Sequence, residues 1–300
     1  MCCIVLCSAL PLDGWYDYLP LFCPSVTSFS LPPALSAMGS KVSTSASAYP
    51  ASRHLALLGD STIDNAGWVP RGEPCVTDQV RELEPNVTMC ARDGALIAAV
   101  RRQSLELPES CTDVVVSVGG NNATAATTTV LGGDVPSSVE EALCRLYTFA
   151  QAFEAEFDIE MTELARSIGP SRRLVICSCY NPCFAPFNVT TVSQPVANLA
   201  LSVLSDAVLR VATRLRAPVI DLRRVMTKVE DFANPIEPSS LGGAKIAAEI
   251  VRVVRTHPFE FGTVVYPKDY ADSELVQPLA PEVLAWQGLA TGDSLRGAGS

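Results

Sequence analysis

Residues 54–61 read HLALLGDS: four consecutive apolar residues, Leu55 to Leu58, run into a glycine, an acid and a serine. An unbroken apolar run of this length suits a strand buried on both faces, the condition of strands in a parallel sheet. Ligands of such sheets bind beyond the carboxyl ends of the strands, so Gly59, Asp60 and Ser61 fall where chemistry is expected.

Working outward, four more short runs rich in Val, Leu and Ile read as strands: VTMCA (87–91), DVVVSVGG (113–120), RLVICSC (173–179) and PVIDL (218–222). Between them lie helical patterns over 75–84, 94–105, 137–167, 194–215 and 240–256. The longest repeats apolar residues at three and four spacing after the cap-like Pro136 and Ser137. Strands alternating with helices predict an α/β fold, a three-layer α/β/α sandwich around a five-stranded parallel sheet. Its expected extent is 52–257. Residues 1–51 read as a flexible leader, and 258–300 as a loosely structured tail with one short helical stretch, EVLAWQGLA.

A hydrophobic fraction of 48% over 300 residues gives ample material for a core, and a formal net charge of -10 argues against a nucleic-acid partner. No stretch is read as crossing a membrane. Of the 11 cysteines, Cys177, Cys179 and Cys183 cluster in ICSCYNPC without a second CxxC or a nearby histidine, so they read as core thiols and no metal is expected. No G-x-G-x-x-G or phosphate-binding loop follows the first strand, which sets a nucleotide-binding reading aside. The compartment stays open, with the cytoplasm preferred over a secreted form or one myristoylated at Gly39 after a start at Met38. Oligomeric state is also open.

Four strand-end loops carry unusual groups: Asp60 and Ser61 with Asp64; Arg92-Asp93-Gly94; Gly119-Gly120-Asn121-Asn122; and DFANPIEPSSLGGAKIA over 231–247. Each alone is an ordinary turn or helix cap. Brought to one edge, they supply a hydroxyl, a glycine N–H, a side-chain amide and acids, the parts acyl transfer needs.

LLGDSTID, ARDGA and SVGGNNA together resemble the first three sequence blocks of the SGNH/GDSL hydrolases, a family of esterases, lipases, thioesterases and carbohydrate acetylesterases with a flavodoxin-like fold. The resemblance spans about 200 residues. It implies Ser61 as nucleophile and as backbone oxyanion donor, Gly94 as a second donor, and the Asn121 amide as a third. Asn122 departs from the aspartate usual in the third block. Asp60 is assigned to positioning, and Asp64 to contact with base or substrate.

The last block departs further. Family members end in Asp-x-x-His, where histidine is the general base and aspartate orients it, but this chain has Asp231-Phe-Ala-Asn234. Asparagine accepts no proton. The chain's two histidines are poorly placed: His54 starts the first strand, ~20 Å from Ser61 at the rise of a strand. His257 closes the last helix, about 24 Å from its start. Glu237, flanked by prolines in the same loop, is the carboxylate proposed as base, provided burial raises its pKa. Asp231 is divided between a polar role at the site and a loop hydrogen bond, and Asn234 is a support that would hold a water. The expected function is serine-dependent hydrolysis of a small-molecule carboxylic ester or O-acetyl group through an acyl-enzyme, without a cofactor. The alternative is a catalytically silent domain of this type that binds an acylated or carbohydrate ligand.

Overall fold

The expected apolar runs become strands in the computed structural model, which describes residues 53–126 and 135–267. They are β1 (Leu55–Gly59), β2 (Val87–Met89), β3 (Asp113–Ser117), β4 (Arg173–Cys177) and β5 (Val219–Ile220). A sixth, β6 (Val265–Tyr266), makes the sheet six-stranded rather than five, in the order β2-β1-β3-β4-β5-β6 with every pair parallel. Two residues carry no periodicity, so β6 is invisible in sequence. It is held by the backbone, with Val219 N–H on Val264 O at 2.9 Å and Asp221 N–H on Tyr266 O at 2.7 Å. The sheet thus includes residues beyond 257, the expected end of the domain. The leader with Met38 and Gly39, and the EVLAWQGLA stretch, lie outside the described residues.

Alternation along the strands sorts the core into two layers. Ala56, Leu58, Val114 and Val116 face one side, where they meet α2 (Val100–Ser104), α4 (Val139–Ile168) and α5 (Gln194–Leu215). Leu55, Leu57, Val115 and Val175 face the other, against α1 (Val76–Leu83) and α6 (Ser240–Thr256). The result is the three-layer α/β/α sandwich.

Three local readings shift. The helix expected over 94–105 begins only at Val100, after a 3-10 turn at Ile97–Ala99, because the chain first turns at Gly94 with φ 74°. A short helix, α3 (Gly120–Ala126), starts immediately after β3, where polar GNNATAA gives no apolar stripe to read. Ser138, one residue beyond the expected cap, accepts the Glu141 N–H at 3.1 Å and starts α4. α5 is also the one described helix long and apolar enough to cross a membrane, with a window hydropathy of 1.4. Its Leu204, Ala207, Val208 and Val211 are nevertheless spent on the core.

Candidate active site

Ser61 sits where β1 ends, and the turn that presents it is built by Gly59 and Asp60. Gly59 has φ 129°, and both its N–H and its carbonyl are held at 2.8 Å by the side-chain amide of Gln103. Asp60, 2% exposed, accepts the Thr62 N–H at 3.0 Å and hydrogen bonds from Gly119 and Gly120 at the start of α3. Burial nonetheless raises its carboxyl from 3.8 to about 6. Asp60 thereby joins the first and third loops.

Ser61 Oγ donates to Glu237 Oε1 at 3.0 Å, and both side chains are buried. The carboxylate proposed from sequence thus contacts the serine directly. Burial is the main cause that raises Glu237 from 4.5 to about 7; Asp60 and Asp93 add charge repulsion, while the Ser61 hydrogen bond pulls the other way. Its second oxygen, Oε2, is buried with no hydrogen-bond partner among the described residues. Such an atom makes the ionised form costly and keeps the group poised to hold a proton.

The loop under Glu237 is braced on several sides. Phe232 and Pro238 form an antiparallel bridge, and Ala233 N–H reaches Glu237 O at 2.9 Å. Asn234, standing where the resemblance puts histidine, turns its Oδ1 onto the N–H groups of Ile236 and Glu237, each at 3.0 Å. Asn65 donates to Pro238 O at 3.1 Å and Tyr180 to Ile236 O at 2.6 Å. The Tyr180 phenol is held well above its ordinary pKa by burial and by the charges of Glu237 and Asp60, so it remains a donor. Gln103 and Tyr180 carry no signal in the sequence, because a single amide or phenol has no spacing to read, whereas Asn65 belongs to the first strand-end loop. Asn234→Ala is expected to lower kcat about 100-fold through misplacement of Glu237 and to move the pH profile of kcat, which stopped-flow assays across pH 5–9 would read.

Other assignments change. The Asp231 carboxylate accepts from the N–H groups of Thr227 and Lys228, each at 3.0 Å, and pairs with Lys245 at 2.6 Å, with no hydrogen bond to Asn234 or Glu237 among the described residues. That fixes the start of α6 rather than orienting a base. Asp64 accepts the Asp93 N–H at 3.0 Å, tying the first loop to the second, and touches no base. Asn122 accepts the Ile97 N–H at 3.1 Å. Asn121 gives one amide N–H to Ala95 O at 3.0 Å, which anchors it, and the group lines the same cavity as Ser61. Gly94 is exposed and outside that lining, although its neighbour Asp93 belongs to it.

Neither histidine lines the cavity. His54 lies at the entering end of β1, its ring 2.7 Å from Ser110 Oγ and 2.8 Å from Thr88 Oγ1. His257 is buried at the end of α6 with Nδ1 3.0 Å from the Tyr266 hydroxyl. Cys177 and Cys183 belong to the core layer under α6, where burial raises both thiols.

The three-layer α/β/α architecture, with its parallel sheet and a serine at the end of β1, is a fold shared with solved lipolytic enzymes. No family model matches the chain, and no curated protein does. Among solved structures, it is similar to phospholipase A1 from Streptomyces albidoflavus NA297, with TM-score 0.52 and 16% identity over 69% of this chain and 100% of that one. It is also similar to the lipase Lip_vut3 from a goat rumen metagenome, with TM-score 0.51 and 14% identity over 69% of this chain and 100% of that one.

Proposed function

We propose that the chain is a serine ester hydrolase whose general base is Glu237, acting on Ser61 without an intervening histidine. The observation that carries this is the 3.0 Å hydrogen bond from Ser61 Oγ to a carboxylate whose pKa is about 7. A base with that pKa is half ionised at neutral pH and still strong enough to draw a hydroxyl proton. As Oγ bonds to the ester carbonyl carbon, its proton passes to Glu237. The Ser61 N–H and the remaining Asn121 amide N–H receive the oxyanion. Collapse breaks the carbon–oxygen bond to the alcohol, which leaves with the Glu237 proton. Water then attacks the acyl-enzyme, gives its proton to Glu237, and the acid is released as Ser61 Oγ recovers that proton. Asn234 acts as a positioning residue for the base.

A fluorophosphonate probe tests this on the full chain. Labelling is expected on the peptide that contains Ser61, with a rate that rises with pH through about 7. The second reading, a silent ligand-binding domain, is favoured by asparagine at 234. It wins if the probe leaves Ser61 unmodified and 4-nitrophenyl esters are not turned over.

A further inference from the structure

The cavity that holds Ser61 and Glu237 encloses about 800 Å³, far more than an acetyl group needs and near the upper end for small-molecule sites. Its two ends differ in chemistry. The strand-end loops contribute Asp60, Ser61, Asp93, Asn121, Asn234 and Glu237. The opposite walls are the N-terminal halves of α4 and α5: Ala142, Leu146 and Phe149 from one, Val196, Ala200 and Leu204 from the other. Leu204, 2% exposed, sets the floor of this apolar trough against the core, while Val196, 42% exposed, lies on its solvent side.

Three aspects of this lining bear on what occupies it. The trough is continuous with the reacting serine, so a chain lying in it is attached to the group Ser61 attacks. The apolar walls hold hydrocarbon laid against them, yet the alcohol must leave before water can enter; the acyl part, which stays bonded to Ser61, is the part suited to the trough. The charged lining residues are all acids, Asp60, Asp93 and Glu237, and among the described residues no Lys or Arg lines the cavity. A phosphate near the ester would meet like charge without a cation to pair with.

We infer that the substrate is an uncharged ester of a linear medium or long acyl chain, with the hydrocarbon tail between α4 and α5 and the ester carbonyl at Ser61. This rests on the hydrolase reading above for the turnover, but not for the seating of the chain. Acetylated sugars and anionic acyl donors are poor substrates on this account, because the first leave the trough empty and the second bring uncompensated charge.

The test uses the full chain and two independent readouts. In the 4-nitrophenyl series from acetate to octanoate, kcat/KM should climb about fourfold per methylene until the trough is filled, at least ~100-fold in all. 1-Octanoylglycerol should exceed 1-octanoylglycerol 3-phosphate by at least ~10-fold. Ala200→Phe and, separately, Ala142→Phe narrow the trough from opposite walls, and each should lower the octanoate-to-acetate ratio at least ~10-fold. In parallel, calorimetry with linear methyl ketones on Ser61→Ala reads chain seating without catalysis, and affinity should rise with length. A flat or falling ester series, equal use of the phosphorylated glyceride, or faster cleavage of octyl acetate than of ethyl octanoate would overturn the assignment while leaving the hydrolase reading intact. Length-dependent ketone binding with no turnover of any ester would uphold the trough and overturn the hydrolase reading instead.

Discussion

Glu237→Gln is expected to cost about 10³-fold in kcat and, at the same time, to raise the melting temperature at pH 8. The first effect follows from chemistry: glutamine keeps the shape and can still accept the Ser61 hydrogen bond, but it cannot take the proton, and removal of a general base typically costs 10²–10⁴-fold. The second follows from linkage. The carboxyl rises from 4.5 unfolded to about 7 folded, so between those values the native chain holds a proton that the unfolded chain has lost. Stability from this group is therefore complete below about 4.5 and falls as pH climbs through about 7. The neutral amide escapes that penalty, a gain of about 3 kcal/mol at pH 8, or roughly 6–12 °C for a unit of this size. Calorimetric melting at pH 8 and pH 5 would show a large difference between variant and wild type at the first and a small one at the second. Near-normal turnover in the variant would remove Glu237 from the mechanism; a lower melting temperature at pH 8 would mean that its ionisation is not opposed by the fold.

Gly59→Ala should prevent folding, whereas Gly94→Ala should not. At Gly59 the backbone sits at φ 129°, and a Cβ would lie 1.8 Å from the Ser117 carbonyl oxygen in the neighbouring strand. That carbonyl accepts the Asp60 N–H at 3.0 Å, so it cannot withdraw without breaking the turn that presents Ser61. Separating β1 from β3 is the only relief, and a loss beyond ~4 kcal/mol is expected, a large part of a domain's whole stability. Gly94 also has a positive φ, 74°, but nothing lies within 4 Å of its Cβ position. Only the left-handed strain remains there, about 1–2 kcal/mol. Urea denaturation of the two variants separates the cases; a Gly59→Ala protein with wild-type unfolding midpoint would contradict the packing at the end of β1.

The contrast between the two glycines shows where letters stop carrying information. HLALLG, DVVVSVGG and RLVICSC announce buried parallel strands because a segment covered on both faces must be apolar throughout, and the long α4 and α5 patterns announce their helices by period. β6 escapes because its two residues are held by backbone hydrogen bonds to β5, and α3 escapes because its sequence has no apolar face. The trough escapes as well: Leu146 and Phe149 on one helix and Val196 and Leu204 on the next look like ordinary core positions, and about 50 residues separate the two pairs in sequence.

From sequence alone came the sandwich, the strand-end placement of Ser61, the missing Asp-x-x-His histidine and the suspicion of Glu237. These are properties of local pattern and of residue type. Only the tertiary structure decided that Glu237 touches Ser61, that Asn234 bends the loop so that it can, that Asp231 belongs to Lys245, and that Asp64 serves Asp93. Those pairings join segments up to 176 residues apart. Burial, which sets the proton affinity of Glu237, depends on what the rest of the chain packs around it, and a single stretch of sequence does not contain it.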